Sequence, residues 1–106
     1  MSTSDLVEQL HRKIVENFMD ILILSEMNNK TVSGYDVIHI VRRKFGILLS
    51  SGTVYSLIYS LERDGLIKGT QSSRKRIYSL THKGSETIAA IMEAKKETQR
   101  FVGTLY

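Results

Sequence analysis

Ser50-Ser51-Gly52-Thr53-Val54-Tyr55, running on to Leu61-Glu62-Arg63-Asp64-Gly65-Leu66-Ile67, reads as one short helix with a start, a stop and two unlike faces. Ser50 or Ser51 caps the orphan N–H groups at its start. Gly65 supplies the left-handed residue that ends it. Val54, Leu57, Ile58 and Leu61 recur at i, i+3, i+4 and i+7, so one face belongs to a core. The opposite face carries Thr53, Tyr55, Ser56, Tyr59, Ser60 and Arg63, and it is free of acid until Glu62. Small hydroxyl side chains of this kind enter a DNA groove without electrostatic penalty.

The chain downstream extends this pattern. Leu66-Ile67-Lys68-Gly69-Thr70 reads as a strand, Gln71-Ser72-Ser73 as a turn, and Arg74-Lys75-Arg76-Ile77-Tyr78-Ser79-Leu80 as a basic return strand. A capped helix followed by a hairpin with a cationic tip is the outline of a winged helix-turn-helix. The predicted fold class is mostly α with a small β-hairpin wing.

Charge is distributed to match. The 106 residues carry a net +4, and residues 65–83 alone hold Lys68, Arg74, Lys75, Arg76 and Lys83 with no acid. A local cationic patch beside an uncharged polar helix is either a phosphate-backbone contact or a solvated loop. The length implies one domain with a modest core. Hydrophobic content of 42% and charged content of 25% are those of an ordinary globular protein. The absence of cysteine excludes disulfides and thiolate metal sites. No apolar run reaches the ~18 residues needed to span a bilayer. Met1-Ser2-Thr3-Ser4-Asp5 lacks the basic start of a signal peptide, so a cytoplasmic location is expected.

Upstream, residues 5–28 read as one long helix striped by Leu6, Leu10, Ile14, Phe18, Ile21 and Leu22. Asn28-Asn29-Lys30 is a turn. Ser33 caps the next helix with Asp36 at the capping-box position, and Gly46 stops it. Val37, Ile38, Ile40, Val41 and Phe45 form its core side, while Arg42, Arg43 and Lys44 suit the dipole of its last turn. Ile47-Leu48-Leu49 reads as a short apolar link or as one strand of a small sheet. Thr81 caps a last helix over 82–103, apolar at Ile88, Ile91 and Met92 and again at Phe101, Val102 and Leu105. The two end helices carry more apolar surface than one small domain covers, which predicts a homodimer with Phe18, Leu22, Ile91, Met92 and Val102 at the interface.

The chain resembles the PadR-like transcriptional regulators, in the short form with a single C-terminal helix. Four ordered blocks carry the resemblance: Gly34-Tyr35-Asp36-Val37, Ser50 to Tyr55, Leu61 to Ile67, and Arg76-Ile77-Tyr78-Ser79-Leu80-Thr81-His82-Lys83-Gly84. It implies a winged helix-turn-helix over residues 1–81 and a dimerisation helix over 82–106. It also implies a homodimer, joined by the first and last helices, on a two-fold operator in double-stranded DNA. The helix opening with Gly-Thr-x-Tyr enters the major groove in the family. Thr53, Tyr55, Ser56 and Tyr59 inherit that role here, with Ser51 at the start of the helix. The wing role falls on Ser72, Ser73, Arg74 and Lys75, and Arg76 beside them is expected at the DNA as well. Ser51 and Ser56 depart from the residues common among relatives. The chain has no tryptophan, so the drug-stacking role of that residue in some members does not carry over.

Other function classes have less in their favour. His11, His39 and His82 lie on three separate elements without a nucleophile beside them, so no enzyme is predicted. Asp36 and His39, at i and i+3, make half a metal site or a surface hydrogen bond; no metal and no cofactor is expected. A protein-interaction winged helix tends to lose its cationic wing. An architectural DNA binder of low specificity fits the lack of Asn and Gln between Ser51 and Asp64.

Overall fold

Capping chemistry places the helix starts. In the computed structural model, which describes residues 2–106, the Ser2 hydroxyl accepts the Asp5 N–H and the Asp5 carboxylate accepts the Ser2 N–H, opening α1 (Thr3–Asn17). Ser33 and Asp36 repeat this box at α3 (Gly34–Phe45), which ends on Gly46 at φ 66°. Ser50, rather than Ser51, caps α4 (Ser51–Arg63) by accepting the Thr53 N–H. Gly65, at φ 76°, turns the chain into β1 (Ile67–Ser72), which pairs antiparallel with β2 (Lys75–Leu80). Thr81 caps α5 (His82–Glu93), and α6 (Lys95–Gly103) follows. Helix α3, the turn after it, α4 and the hairpin form a winged helix-turn-helix.

One core joins these parts. Met19, Ile23 and Leu24 of α2 (Met19–Glu26) meet Val37 and Val41 of α3, Val54, Ile58 and Leu61 of α4, Tyr78 of β2 and Ile88 of α5. Fully burying one such side chain contributes roughly 1.5–3 kcal/mol. Tyr78 ties the wing to the chain before α3: its N–H and C=O both pair with Val32, at 2.8 and 3.0 Å, next to the cap of α3. The end of α4 is tied to the start of α5. The Thr81 hydroxyl donates to the Gly65 carbonyl at 2.6 Å and the Lys83 ammonium to the Asp64 carbonyl at 2.9 Å. Gly84 lacks a Cβ where one would collide with the Leu66 carbonyl, so α5 starts directly against the chain leaving α4.

The structure corrects five local expectations. The helix read over 5–28 is two helices. At Phe18 the N–H is shared between the Ile14 and Val15 carbonyls, and its angles, φ −111° and ψ 19°, interrupt the helix where α2 enters the core. The last helix is likewise divided at Ala94, at φ −87° and ψ 11°. Phe45 is exposed, because the last turn of α3 projects past the core into a cleft beside α1. Ile47, Leu48 and Leu49 alternate buried, exposed, buried without joining a ladder, since the isolated bridge on β2 is to Val32. The hairpin turn is Ser73-Arg74, not Gln71-Ser73, with Ser73 at φ 56° as a two-residue turn requires.

Candidate nucleic-acid interface

Burial of Val54, Ile58 and Leu61 fixes the rotation of α4 and turns its other side outward. Ser51, Thr53, Tyr55, Ser56 and Tyr59 are all exposed there. The first turn carries no acid, so its N–H groups and dipole present positive potential. The Thr53 and Ser50 hydroxyls are 2.8 Å apart, which orients Thr53. The rings of Tyr55 and Tyr59 lie 6.3 Å apart along the helix.

Tyr55 has a second contact. Its ring covers Gly34, where a Cβ would come within 2.6 Å of the ring carbons. The ring therefore packs the start of α3 against the first turns of α4, while Tyr55 stays partly exposed. Tyr35, beside Gly34, is 66% exposed and sits edge-on to His39 at 4.3 Å. Sequence reasoning did not single out Tyr35 as a surface residue, although it adjoins the glycine that Tyr55 covers.

The wing residues Ser72, Ser73, Arg74, Lys75 and Arg76 are exposed as well. Arg74 and Lys75 make no ion pair among the described residues. Arg76 differs: its guanidinium meets Glu62 of α4 at 3.4 Å and lies 5.7 Å from the Tyr78 ring centre. Burial, and then the Glu62 charge, push the Tyr78 phenol above its usual range. The Asp36 carboxyl is held below its usual range, first by the Ser33 N–H, with smaller help from the Lys75 and Lys30 charges. Glu26 is lowered chiefly by its hydrogen bond from Lys44 at 2.6 Å, which leaves Arg42 and Arg43 exposed at the end of α3.

The residues expected at a dimer contact divide. Phe18 and Met92 are exposed, whereas Leu22 and Ile91 are half-buried against their own core, and Val102 is half-buried on α6. Leu6, Val7, Leu10 and Ile14 add exposed apolar surface along α1. An open cleft of about 900 Å³ lies between α1 and Phe45-Gly46-Ile47, and none of the α4 or wing residues lines it. No helix is long and apolar enough to cross a membrane among the described residues.

The sequence pattern of the Transcriptional regulator PadR-like family matches residues 23–90, well over half of the chain. The chain belongs to the PadR-like family. This is a family of transcriptional regulators, not of enzymes. A PadR family transcription regulator from Clostridium difficile R20291 is 33% identical, with a TM-score of 0.66 over 83% of this chain and 93% of that one. A PadR-like transcriptional regulator from Bacillus cereus shares the fold at 21% identity, with a TM-score of 0.74 over 88% of this chain and 95% of that one. Bacillus subtilis PadR, solved in complex with operator DNA, shares the fold at 21% identity and a TM-score of 0.60. That match covers 70% of this chain and 45% of that protein. No curated protein matches the chain significantly. The matched PadR-like segment spans α3, α4, the wing and most of α5, and it leaves α1 outside.

Proposed function

We propose that this PadR-like chain acts as a homodimer that binds a two-fold related operator in double-stranded DNA and represses transcription there, in the cytoplasm. Helix α4 enters the major groove with Ser51, Thr53, Tyr55, Ser56 and Tyr59, and the wing lays Ser72, Ser73, Arg74 and Lys75 on the backbone. The observation that carries this reading is an exposed, acid-free start of α4 together with two wing cations, Arg74 and Lys75, that make no ion pair among the described residues. The solved complex of Bacillus subtilis PadR with operator DNA supports it. The exposed apolar stripe on α1, with Met92, Phe101 and Leu105 near the other end, supports the dimer.

Hydroxyls accept from and donate to many base edges, so each discriminates less than an Arg–guanine pair. Specificity therefore falls below the upper part of the ~10³–10⁷ range for specific binders. The second reading, an architectural binder, draws on the same face, which offers no Asn or Gln, and whose Arg63 sits at the far end. Salt titrations on a selected duplex and on its scrambled counterpart separate the two. Ser56→Ala and Tyr59→Phe weaken binding more on the selected duplex if α4 reads bases. Equal losses on both duplexes favour the architectural reading. Replacing Arg74 or Lys75 with Ala weakens both duplexes alike and flattens the slope of log K against log salt by about 1 each.

A further inference from the structure

Three consecutive cations on the wing, Arg74, Lys75 and Arg76, have different surroundings. The first two are at or beside the open turn. The third points back along the face of β2 that carries Tyr78 two residues later. Its guanidinium meets Glu62 Oε2 at 3.4 Å and stands over the Tyr78 ring. It also lies across Gly69, which is opposite Tyr78 in the hairpin. A Cβ on Gly69 would come within 2.6–2.7 Å of the Arg76 Nε, Cζ and Nη2 atoms. The left-handed glycines are Gly46 and Gly65, so Gly69 is not needed for its backbone angle. What the missing side chain provides is the bed on which the guanidinium rests.

We infer that Arg76 is a positioning residue, which sets the angle of the wing against α4, and not a third phosphate contact. Tyr78 anchors the base of the wing through Val32. The hairpin beyond Gly69 has no other ion pair to α4 among the described residues. Loss of the Arg76 clamp lets the tip swing about that anchor. The pair is partly exposed, at 47% for Arg76 and 26% for Glu62, so it contributes little to global stability. Its consequence is geometric: α4 and Arg74-Lys75 must meet groove and backbone at once. For its DNA readout the inference rests on the function proposed above.

Glu62 provides a test of sign. An acid beside a DNA-binding face repels phosphates, so Glu62→Gln tightens binding if charge alone matters. A clamp predicts the reverse on a selected duplex. The experiment compares Arg76→Gln, Glu62→Gln and Gly69→Ala with Arg74→Ala in the full chain. Gly69→Ala changes no charge and displaces only a flexible side-chain end. Backbone order parameters and residual dipolar couplings of the wing amides are measured on the free protein. Affinity for the selected duplex is then measured against salt. The first three variants are expected to loosen or tilt the wing in the free protein. They weaken selected-site binding roughly two- to fivefold, the worth of a partly exposed ion pair, with the salt slope unchanged. Arg74→Ala leaves the wing in place and flattens the slope by about 1. An unmoved wing in Gly69→Ala and Glu62→Gln, tighter binding by Glu62→Gln, or a flattened slope in Arg76→Gln overturns the inference. A wild-type chain with no affinity for any duplex removes the proposed function alone, because the free-protein wing still decides the role of Arg76.

Discussion

Helices α1 and α4 are both amphipathic and nearly equal in length, yet they end in opposite situations. On α4, Ile58 is 0% exposed and Val54 and Leu61 are buried with it. On α1 the stripe of Leu6, Leu10 and Ile14 has the same helical spacing, but Leu10 is 45% exposed and no residue of the helix is buried. The sequence pattern of each helix states only that one side is apolar. It does not state what covers that side. For α4 the cover is the same chain, through α2, α3 and the wing. For α1 the chain packs Val15 against the core and otherwise offers an open cleft at Phe45 and Ile47. The family match has the same boundary: it begins at residue 23, inside α2, and omits α1. The self-covered part positions the candidate DNA face, and the uncovered part is the surface that the proposal assigns to a second copy.

The largest effect that sharpens this contrast is in the core. Ile58→Ala should lower stability by about 2–5 kcal/mol, the range for a buried Ile truncated to Ala. Urea denaturation should show that loss at every protein concentration. Leu10→Ala should instead leave an intact core and shift the midpoint only by weakening self-association. A concentration-independent loss of core size in Leu10→Ala would erase the distinction between the two helices.

A smaller effect concerns the joint between α3 and α4. Gly34→Ala puts a Cβ against the Tyr55 ring. Because Tyr55 is partly exposed and can swing out, the penalty should be about 1–2 kcal/mol, in the lower part of the overpacking range. Removing the ring as well, in Gly34→Ala with Tyr55→Ala, should cancel much of it in a double-mutant cycle. Additive losses would mean that the ring does not hold the start of α3.

The smallest effect is electrostatic and again belongs to the self-covered part. Asp36 and Glu26 both have lowered pKa values in the fold, Asp36 from the Ser33 N–H and Glu26 from Lys44. A carboxyl whose folded pKa is depressed stabilises the fold above its unfolded pKa. That contribution is lost as pH falls through the folded value. Stability should therefore decline on acidification below the ordinary carboxylate range. Asp36→Asn with Glu26→Gln should flatten that decline in acid denaturation followed by circular dichroism. An unchanged acid profile in the double variant would place the sensitive carboxylates elsewhere.

How much of this was legible in the chain depends on the range of the cause. Ser33, Asp36, Gly46, Gly65 and Thr81 act within a few residues, and each was readable as a cap or stop. The interruptions at Phe18 and Ala94 have no proline or glycine to mark them. They follow from where the core is and where it ends, which is tertiary information. The wing turn was misplaced because Ser73 takes a left-handed angle without the usual Asn or Gly. Its register is set instead by Tyr78 pairing with Val32, far upstream in sequence. The exposed face of α4 was legible, since it is the complement of a clear apolar stripe. The division among Arg74, Lys75 and Arg76 was not, since it depends on Glu62 and Gly69 meeting across three elements.

The most direct test of the account is selection of bound duplexes from a random pool, run in parallel with the wild-type chain and with Leu10→Asp/Ile14→Asp. Sedimentation at micromolar concentration should show the wild type as a dimer and the variant as a folded monomer. The wild type should enrich an inverted repeat whose half-sites lie about one helical turn apart, the spacing that a two-fold dimer of recognition helices imposes. The monomeric variant should enrich at most a single half-site. A wild type that enriches no sequence, or only one unrepeated motif, would contradict the claim that α1 brings two copies of α4 onto one operator.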